Sequence, residues 1–374
     1  MLQITIDRET ASQRLDKFLR RYLPEAGSGF LYKQLRKKNI TLNGAKASGK
    51  ELLKEGDVIK IFFSEETLHK FSGKGQIPRR QPAKKSSGAI PVLAQADILF
   101  EDSHVLILNK RPGILSQKAS PDDVSLVEMI QAYLTAKGEI TEESLRLFRP
   151  SVVNRIDRNT SGIVLAAKTL AAARELSEGL RNRSIHKYYY ALTEGEIIEP
   201  ARIFARLAKD PRTNRVTVYD EPAVHRTGFT YAEGRAARSL DSGASGGNNT
   251  SDTGAYIETE YTPIEHFQTK DPDGQPAVFT LLKVHLITGK THQIRSHLAF
   301  IGHPIVGDVK YGLRNRNEQF RKSFGLHRQF LHAAELVFPP LNGVLSDLSG
   351  RSIHAPLPDD LKATLEKLRT CSRL

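Results

Sequence analysis

The chain opens on alternating apolar and polar residues, MLQITIDRET, which reads as a strand. The period then changes. Leu15, Phe18, Leu19 and Tyr22 fall at helical spacing over 14–22, and Pro24 and Gly27 interrupt the run. A second short helix is predicted over 30–37. Its Leu31 and Leu35 face inward, while Lys33, Arg36, Lys37 and Lys38 stay in water. ITLNG is a strand ending in an Asn43-Gly44 turn. Gly56-Asp57 marks another turn, and Val58, Ile59, Ile61 and Phe62 make a closing strand. Residues 1–63 therefore read as one small domain.

Over 64–96 the pattern is lost. The stretch KFSGKGQIPRRQPAKKSSGAIP buries too little apolar surface to offset the entropy of ordering, so a flexible basic linker is predicted. A larger domain follows over 97–374. Strand-like runs fall at 98–101, 105–109, 152–154, 163–166, 188–192, 257–263, 279–286 and 331–338. Helices fall near 126–134, 170–180, 291–300 and 359–368. Strands and helices mix without a βαβ rhythm, which gives the α+β class. The Gly/Ser-rich segment 235–254 is predicted as a surface loop inserted between strands.

Charge narrows the partner. The 374 residues carry a formal net charge of +13. That favours a polyanion, nucleic acid first, because Lys and Arg replace counterions along phosphates. The lone Cys371 excludes an internal disulfide and a cysteine-based zinc site. The N-terminus lacks the apolar run of a signal peptide, and no apolar stretch approaches the roughly 20 residues that span a bilayer. A cytoplasmic protein without a membrane partner is expected.

The densest chemical signal is VVNRIDRNTSGIVLAAKT, residues 152–169. An apolar strand leads into Asn154, Arg155, Ile156 and Asp157, then a polar turn, then a second apolar strand. A carboxylate on a loop between two buried strands is held by a rigid scaffold, which suits catalysis. Taken alone, such an Asp is more often a turn residue or an ion-pair partner. Further segments change that weighing: KYYYALTEG at 187–195, LITGKTHQIRSHL at 286–298, IGHPIVGDVKYG at 301–312 and FLHAAELVFPP at 330–340.

In this order the segments closely resemble the RluA family of pseudouridine synthases. That family carries HRLD-x-x-TSG, K-x-Y-x-A, T-G-R-x-HQ-I/L-R and GHP-I-x-GD-x-x-YG. The resemblance spans 97–370 and omits the insertion at 235–254. RLDKFL, ITLNG and EGDVIKI likewise resemble the alpha-L RNA-binding fold first seen in a small-subunit ribosomal protein. The layout is most like the branch that modifies large-subunit ribosomal RNA.

The resemblance implies a mixed, mainly antiparallel central sheet and the isomerisation of uridine to pseudouridine in structured RNA. The bond between ribose and uracil nitrogen breaks, the base rotates, and it rejoins through carbon 5. An anionic group must stand beside sugar and base, and the resemblance gives that role to Asp157. Attack on the sugar, attack on the base and removal of a ribose proton all stay open. Tyr189 is implied to stack on the detached uracil, and Arg295 to pair with Asp157. Ile294 is implied to pack beside the base, and Arg155 to enter the RNA stack as the target nucleotide flips out. Lys187 and Arg158 complete the RNA-binding set there. The alpha-L resemblance implies that Lys33, Arg36, Lys37 and Lys38 face RNA phosphates from the small module. Where the family usually has His, this chain has Asn154, which hydrogen-bonds but takes up no proton near neutral pH. The position is therefore read as structural. Ile156 for Leu and Lys290 for Arg are milder departures.

No metal or cofactor is expected. His285, His292, His297 and His303 match no zinc pattern, and LITGKT lacks the upstream glycine of a phosphate loop. A monomer is expected. The alternatives are a transfer RNA substrate and a non-catalytic RNA-binding factor in ribosome assembly. A carboxylate hydrolase lacks a second positioned acid.

Overall fold

The computed structural model describes residues 1–6, 10–11, 13–71, 91–120, 122–141, 144–210, 216–219, 254–270 and 274–372. At the N-terminus, strands β1 (Leu2–Thr5), β2 (Ile40–Leu42), β3 (Ala45–Lys46) and β4 (Val58–Ile61) form a sheet in the order β1-β4-β2-β3. Helices α1 (Leu15–Tyr22) and α2 (Ser28–Arg36) share one core with it. Leu15, Phe18, Leu19, Leu31 and Leu35 meet Ile40, Ile59 and Ile61 there. Asn43 and Gly44 both take positive φ, 54° and 77°, the turn that matches strand twist. The Asn43 side chain accepts the Val58 amide at 2.8 Å, which ties this turn to β4. Phe62 does not join the core. Alternation puts Ile59 and Ile61 inside, so Phe62 faces out and is 49% exposed.

The predicted linker needs correction at both ends. Residues Glu65–Phe71 form a helix, α3, and Phe71 packs on Phe30 with ring centroids 4.5 Å apart. EETLHKF spaces Leu68 and Phe71 three apart, so both reach the N-terminal core. Leu93 is already buried in the core of the large domain. The stretch 72–90 lies outside the described residues.

Among the described residues, the large domain is built on an eleven-stranded sheet. Its strands are β5 (Ile98–Glu101), β6 (Val105–Lys110), β7 (Ser151–Val152), β8 (Ser161–Ala167), β9 (His186–Glu194), β10 (Ala201–Lys209), β11 (Val216–Tyr219), β12 (Ala255–Lys270), β13 (Pro276–Leu286), β14 (Leu331–Val337) and β15 (Ser352–His354). The order is β11-β10-β12-β13-β9-β14-β8-β6-β5, with β7 on β8 and β15 on β14. Every described pairing is antiparallel except β14 with β8. The helices are α4 (Leu126–Ala136), α5 (Ser144–Leu147), α6 (Leu170–Arg181), α7 (Gln293–Phe300), α8 (Arg314–Gln319) and α9 (Asp359–Cys371). Sequence reading missed β10 and β11. The insertion at 235–254, apart from Gly254, lies outside the described residues.

β6 and β8 are buried along both faces because helices lie on each side. Leu106 and Leu108 join Leu126, Met129 and Ile130 of α4. Val105 and Ile107 join Ala172 and Leu176 of α6. At the β8–β14 seam the two backbones come very close. A Cβ on Gly162 (φ +111°) would lie 2.1 Å from the Ala333 carbonyl oxygen, so only glycine fits.

Candidate active site

β7 ends at Val152, two residues earlier than the sequence suggests. The Asn154 side chain replaces the ladder there: its Oδ1 accepts the Leu165 amide at 2.7 Å. This scaffold bond needs an acceptor and no titrating group. Asp157 sits on the loop that follows. Ser116 Oγ donates to the Ile156 carbonyl at 2.9 Å and accepts the Ile156 amide at 3.2 Å. Lys110 Nζ donates to the Arg158 carbonyl at 3.0 Å, and to those of Arg111 and Ile114 at 2.9 Å each. All three of its donors are thus used inside a residue 1% exposed. Burial and the Arg328 charge push Lys110 down to about 7, while Asp157 pulls the other way.

The cation beside Asp157 comes from α7. Gln293 fastens the start of that helix: its Nε2 donates to the Glu258 carbonyl at 2.9 Å and to Thr259 Oγ1 at 3.0 Å. Arg295 then points back into the site. Its Nη1 donates to Asp157 Oδ2 at 2.7 Å. Its Nε and Nη2 hold Asp308 at 2.6 and 2.8 Å. Asp308 is fully buried and also accepts the Lys310 and Tyr311 amides at 2.9 and 3.1 Å. The guanidinium is therefore clamped on one side and offers one donor to the other. Burial opposes its charge, but the bonds and charge of Asp308, then those of Asp157, hold its pKa above the usual arginine value. Gly307 lets this turn pack close: a Cβ there would meet the Arg328 carbonyl oxygen at 2.1 Å.

His292 precedes α7 in a left-handed conformation, φ 55°. Its Nε2 lies 3.9 Å from Asp157 Oδ1, and its Nδ1 lies 3.0 Å from Tyr311 Oη. Burial lowers its pKa, against the pull of Asp157. Tyr189 lies on β9 between Val284 and Ala333. Its ring is buried with Ile156, Ile294 and Leu331, and burial and the Asp157 charge raise its hydroxyl pKa. Asp157, Tyr189, Ile294, Arg295 and Arg155 line one pocket. That pocket opens into a groove of about 910 Å³.

The groove carries Lys118, Arg155, Arg158, Arg181, Lys187, Lys209 and Lys290, against Asp157 as its carboxylate among the described residues. Arg155 and Arg158 are exposed on its rim. Lys187 is half-buried beside Gly289, its pKa lowered by burial and by Arg183. The basic residues of the small module do not line this groove. On α2, Lys33 and Arg36 are exposed, as are Lys37 and Lys38 just after it. The histidines of 285–303 diverge: His285 meets His186 at 3.1 Å, His297 meets Thr259 at 3.0 Å, and His303 meets the Glu194 carbonyl at 2.8 Å. Among the described residues, no group of three or more His, Cys, Asp or Glu is placed to hold a metal. Sequence reading missed Asp308, Lys110, Ser116 and Gln293. Asp308 and Gln293 fall inside segments singled out above, but nothing in sequence names their partners.

Such a site presents one fixed carboxylate, a clamped cation and a buried ring at the floor of a basic groove. A family model described as RNA pseudouridylate synthase matches residues 104–300. The chain is 30% identical over 371 residues to the ribosomal large subunit pseudouridine synthase C of Vibrio cholerae, covering 98% of this chain and 96% of that one. It is 30% identical over 370 residues to the protein of that name from Escherichia coli K12, with 98% and 96% covered. Among solved structures, the human RNA pseudouridylate synthase domain containing 4 superposes with a TM-score of 0.51 at 20% identity, covering 73% of this chain and 92% of that one. That last likeness concerns the fold alone.

Proposed function

The chain belongs to the RNA pseudouridylate synthase family, and on that premise we propose that it isomerises uridines of large-subunit ribosomal RNA with Asp157 as the catalytic carboxylate. The enzyme is a pseudouridine synthase. The substrate class follows the name carried by its full-length relatives. The assignment of Asp157 rests on one observation, the 2.7 Å bond from a guanidinium locked by a second, buried carboxylate.

In this reading Arg295 holds the Asp157 carboxylate aimed while charge moves during glycosidic cleavage. The C1′–N1 bond breaks and C1′–C5 forms, a proton leaves carbon 5, and N1 regains one. Atoms and electrons balance within the nucleotide, so no cofactor or metal is needed. The Tyr189 ring and Ile294 hold the freed uracil. Arg155, on the rim, fills the space left as the nucleotide flips out. Lys187 and Arg158 meet phosphates along the groove. Residues 1–63 act as a separate RNA-binding module whose Lys33, Arg36, Lys37 and Lys38 grip RNA at a distance from the chemistry, and 97–374 form the catalytic domain. The enzyme works as a cytoplasmic monomer. No described helix is long and apolar enough to cross a membrane.

The test maps pseudouridine across total RNA from cells with the intact gene, a deletion and an Asp157→Ala replacement. The same large-subunit sites are expected to vanish in both mutants. A site lost in the deletion but kept by Asp157→Ala removes the catalytic assignment. Loss confined to transfer RNA moves the substrate instead.

A further inference from the structure

We propose that Arg328 is a positioning residue for the catalytic loop, braced by Asp360 of the C-terminal helix. The inference rests on the reading of Asp157 as the catalyst. Arg328 is 7% exposed and lines neither the pocket nor the groove, so it acts on the reaction only through what it holds.

What it holds is the stretch just after Asp157. Its Nη1 donates to the Asn159 carbonyl at 3.0 Å, and its Nη2 to Ser161 Oγ at 3.3 Å. Neighbouring groups extend the grip. Gln329 Nε2 donates to Thr160 Oγ1 at 3.2 Å, and His332 Nδ1 lies 2.9 Å from Ser161 Oγ. With Lys110 on the Arg158 carbonyl, every residue from 158 to 161 is tied to the floor beneath it. The Thr160 amide closes the turn on the Asp157 carbonyl at 3.1 Å. The loop therefore has no free link through which the Asp157 carboxylate can drift from Arg295.

Arg328 is itself oriented. Its Nε and Nη2 form a fork on Asp360, at 2.6 and 2.9 Å. Asp360 lies in the first turn of α9, where a carboxylate suits the helix dipole. α9 is fixed by Leu361, Leu365 and Leu368 in the main core, and by Arg369 on Glu265 at 2.8 Å. The support runs from the C-terminal helix through Asp360 and Arg328 to the loop. A planar fork with five donors serves one carbonyl, one hydroxyl and one carboxylate at once, which a lysine does not do.

The test uses the purified full chain and a large-subunit RNA transcript. Single-turnover pseudouridine formation, RNA Kd and Tm are measured for the parent, Arg328→Ala, Asp360→Asn and Asp157→Asn. Displacement of the loop by about 1 Å is expected to slow Arg328→Ala about 100-fold at saturating RNA, with Kd within about threefold. Added guanidinium ion is expected to restore part of that rate by refilling the vacated site. A cooperatively folded Arg328→Ala whose rate stays within about threefold of the parent overturns the proposal, as does a loss that appears in Kd alone. Should Arg328→Ala fail to fold, Asp360→Asn decides: a fall of about fivefold at unchanged Kd supports it, and an unchanged rate overturns it. Asp157→Asn separates the two claims. If it stays active, the catalytic reading fails first. If it is inactive while Arg328→Ala is normal, only the positioning role fails.

Discussion

The basic surface at α2 and the basic groove at Asp157 are built in opposite ways. Lys33, Arg36, Lys37 and Lys38 come from one short run and stand exposed, with Leu31 and Leu35 buried behind them. None of the four has a carboxylate within 4 Å among the described residues. In the groove, Arg295 meets Asp157 across 138 residues of chain and depends on a third residue, Asp308, that never reaches solvent. Attraction to phosphate needs only charge in water. A reacting bond needs groups fixed in place before the substrate arrives. One surface should therefore tolerate exchange of its residues, and the other should not.

The largest effect expected from this contrast is at Asp308. Asp308→Asn removes a buried partner of Arg295 and should cost about 3 kcal/mol or more of stability. The rate at saturating RNA should fall about 100-fold, because the guanidinium loses its clamp. Denaturant unfolding and single-turnover assays read the two separately. Parent-like values for both would erase the distinction between the surfaces. Replacing Lys33, Arg36, Lys37 and Lys38 with Gln should do less, and differently. Affinity for long RNA should weaken and the slope of log affinity against log salt should shrink by about 3, at about 0.7 per lost contact. The rate at saturation should hold. An unchanged salt slope removes α2 from the RNA face.

The smallest effect concerns pH. Glu194 lies at the end of β9 with one carboxyl oxygen buried and unpartnered. Burial pushes it from 4.5 up to about 7, against the pull of Arg316. The folded state thus binds this proton more tightly than the unfolded chain. Stability is held below about pH 4.5 and is lost as pH rises through about 7. Glu194→Gln should therefore gain on the parent by a few degrees of Tm between about pH 5 and about pH 8. A Tm difference that stays flat from about pH 5 to about pH 8 would remove Glu194 as its cause.

Much of this was legible in advance where one element carried the signal. The period of Leu15, Phe18 and Leu19 marked α1, and the apolar runs around Asp157 marked a loop between buried strands. β10 was not seen because ARIFARLAK mixes its alternation with helix-forming Ala, Arg and Leu, and only pairing with β12 settles the choice. α3 was hidden by the Lys- and Pro-rich stretch beside it. The resemblance brought Asp157, Tyr189 and Arg295 forward, and all three line one pocket. Asp308, Lys110 and Arg328 stayed silent because their importance is a matter of proximity. No local pattern says that a buried lysine will meet three carbonyls, or which guanidinium a carboxylate will face.

The β8–β14 seam has a bearing on timing. Ser161 and His332, which meet across it, are 171 residues apart. During synthesis the N-terminal module emerges and can close its own core early. The loop bearing Asp157 can meet Lys110 and Ser116 early, but its bonds to Arg328, Gln329 and His332 wait until β14 and α9 have left the ribosome. On the proposed division of labour, a nascent chain holds RNA well before it alters any of it, and a product cut short before its last helix is expected to bind without catalysing.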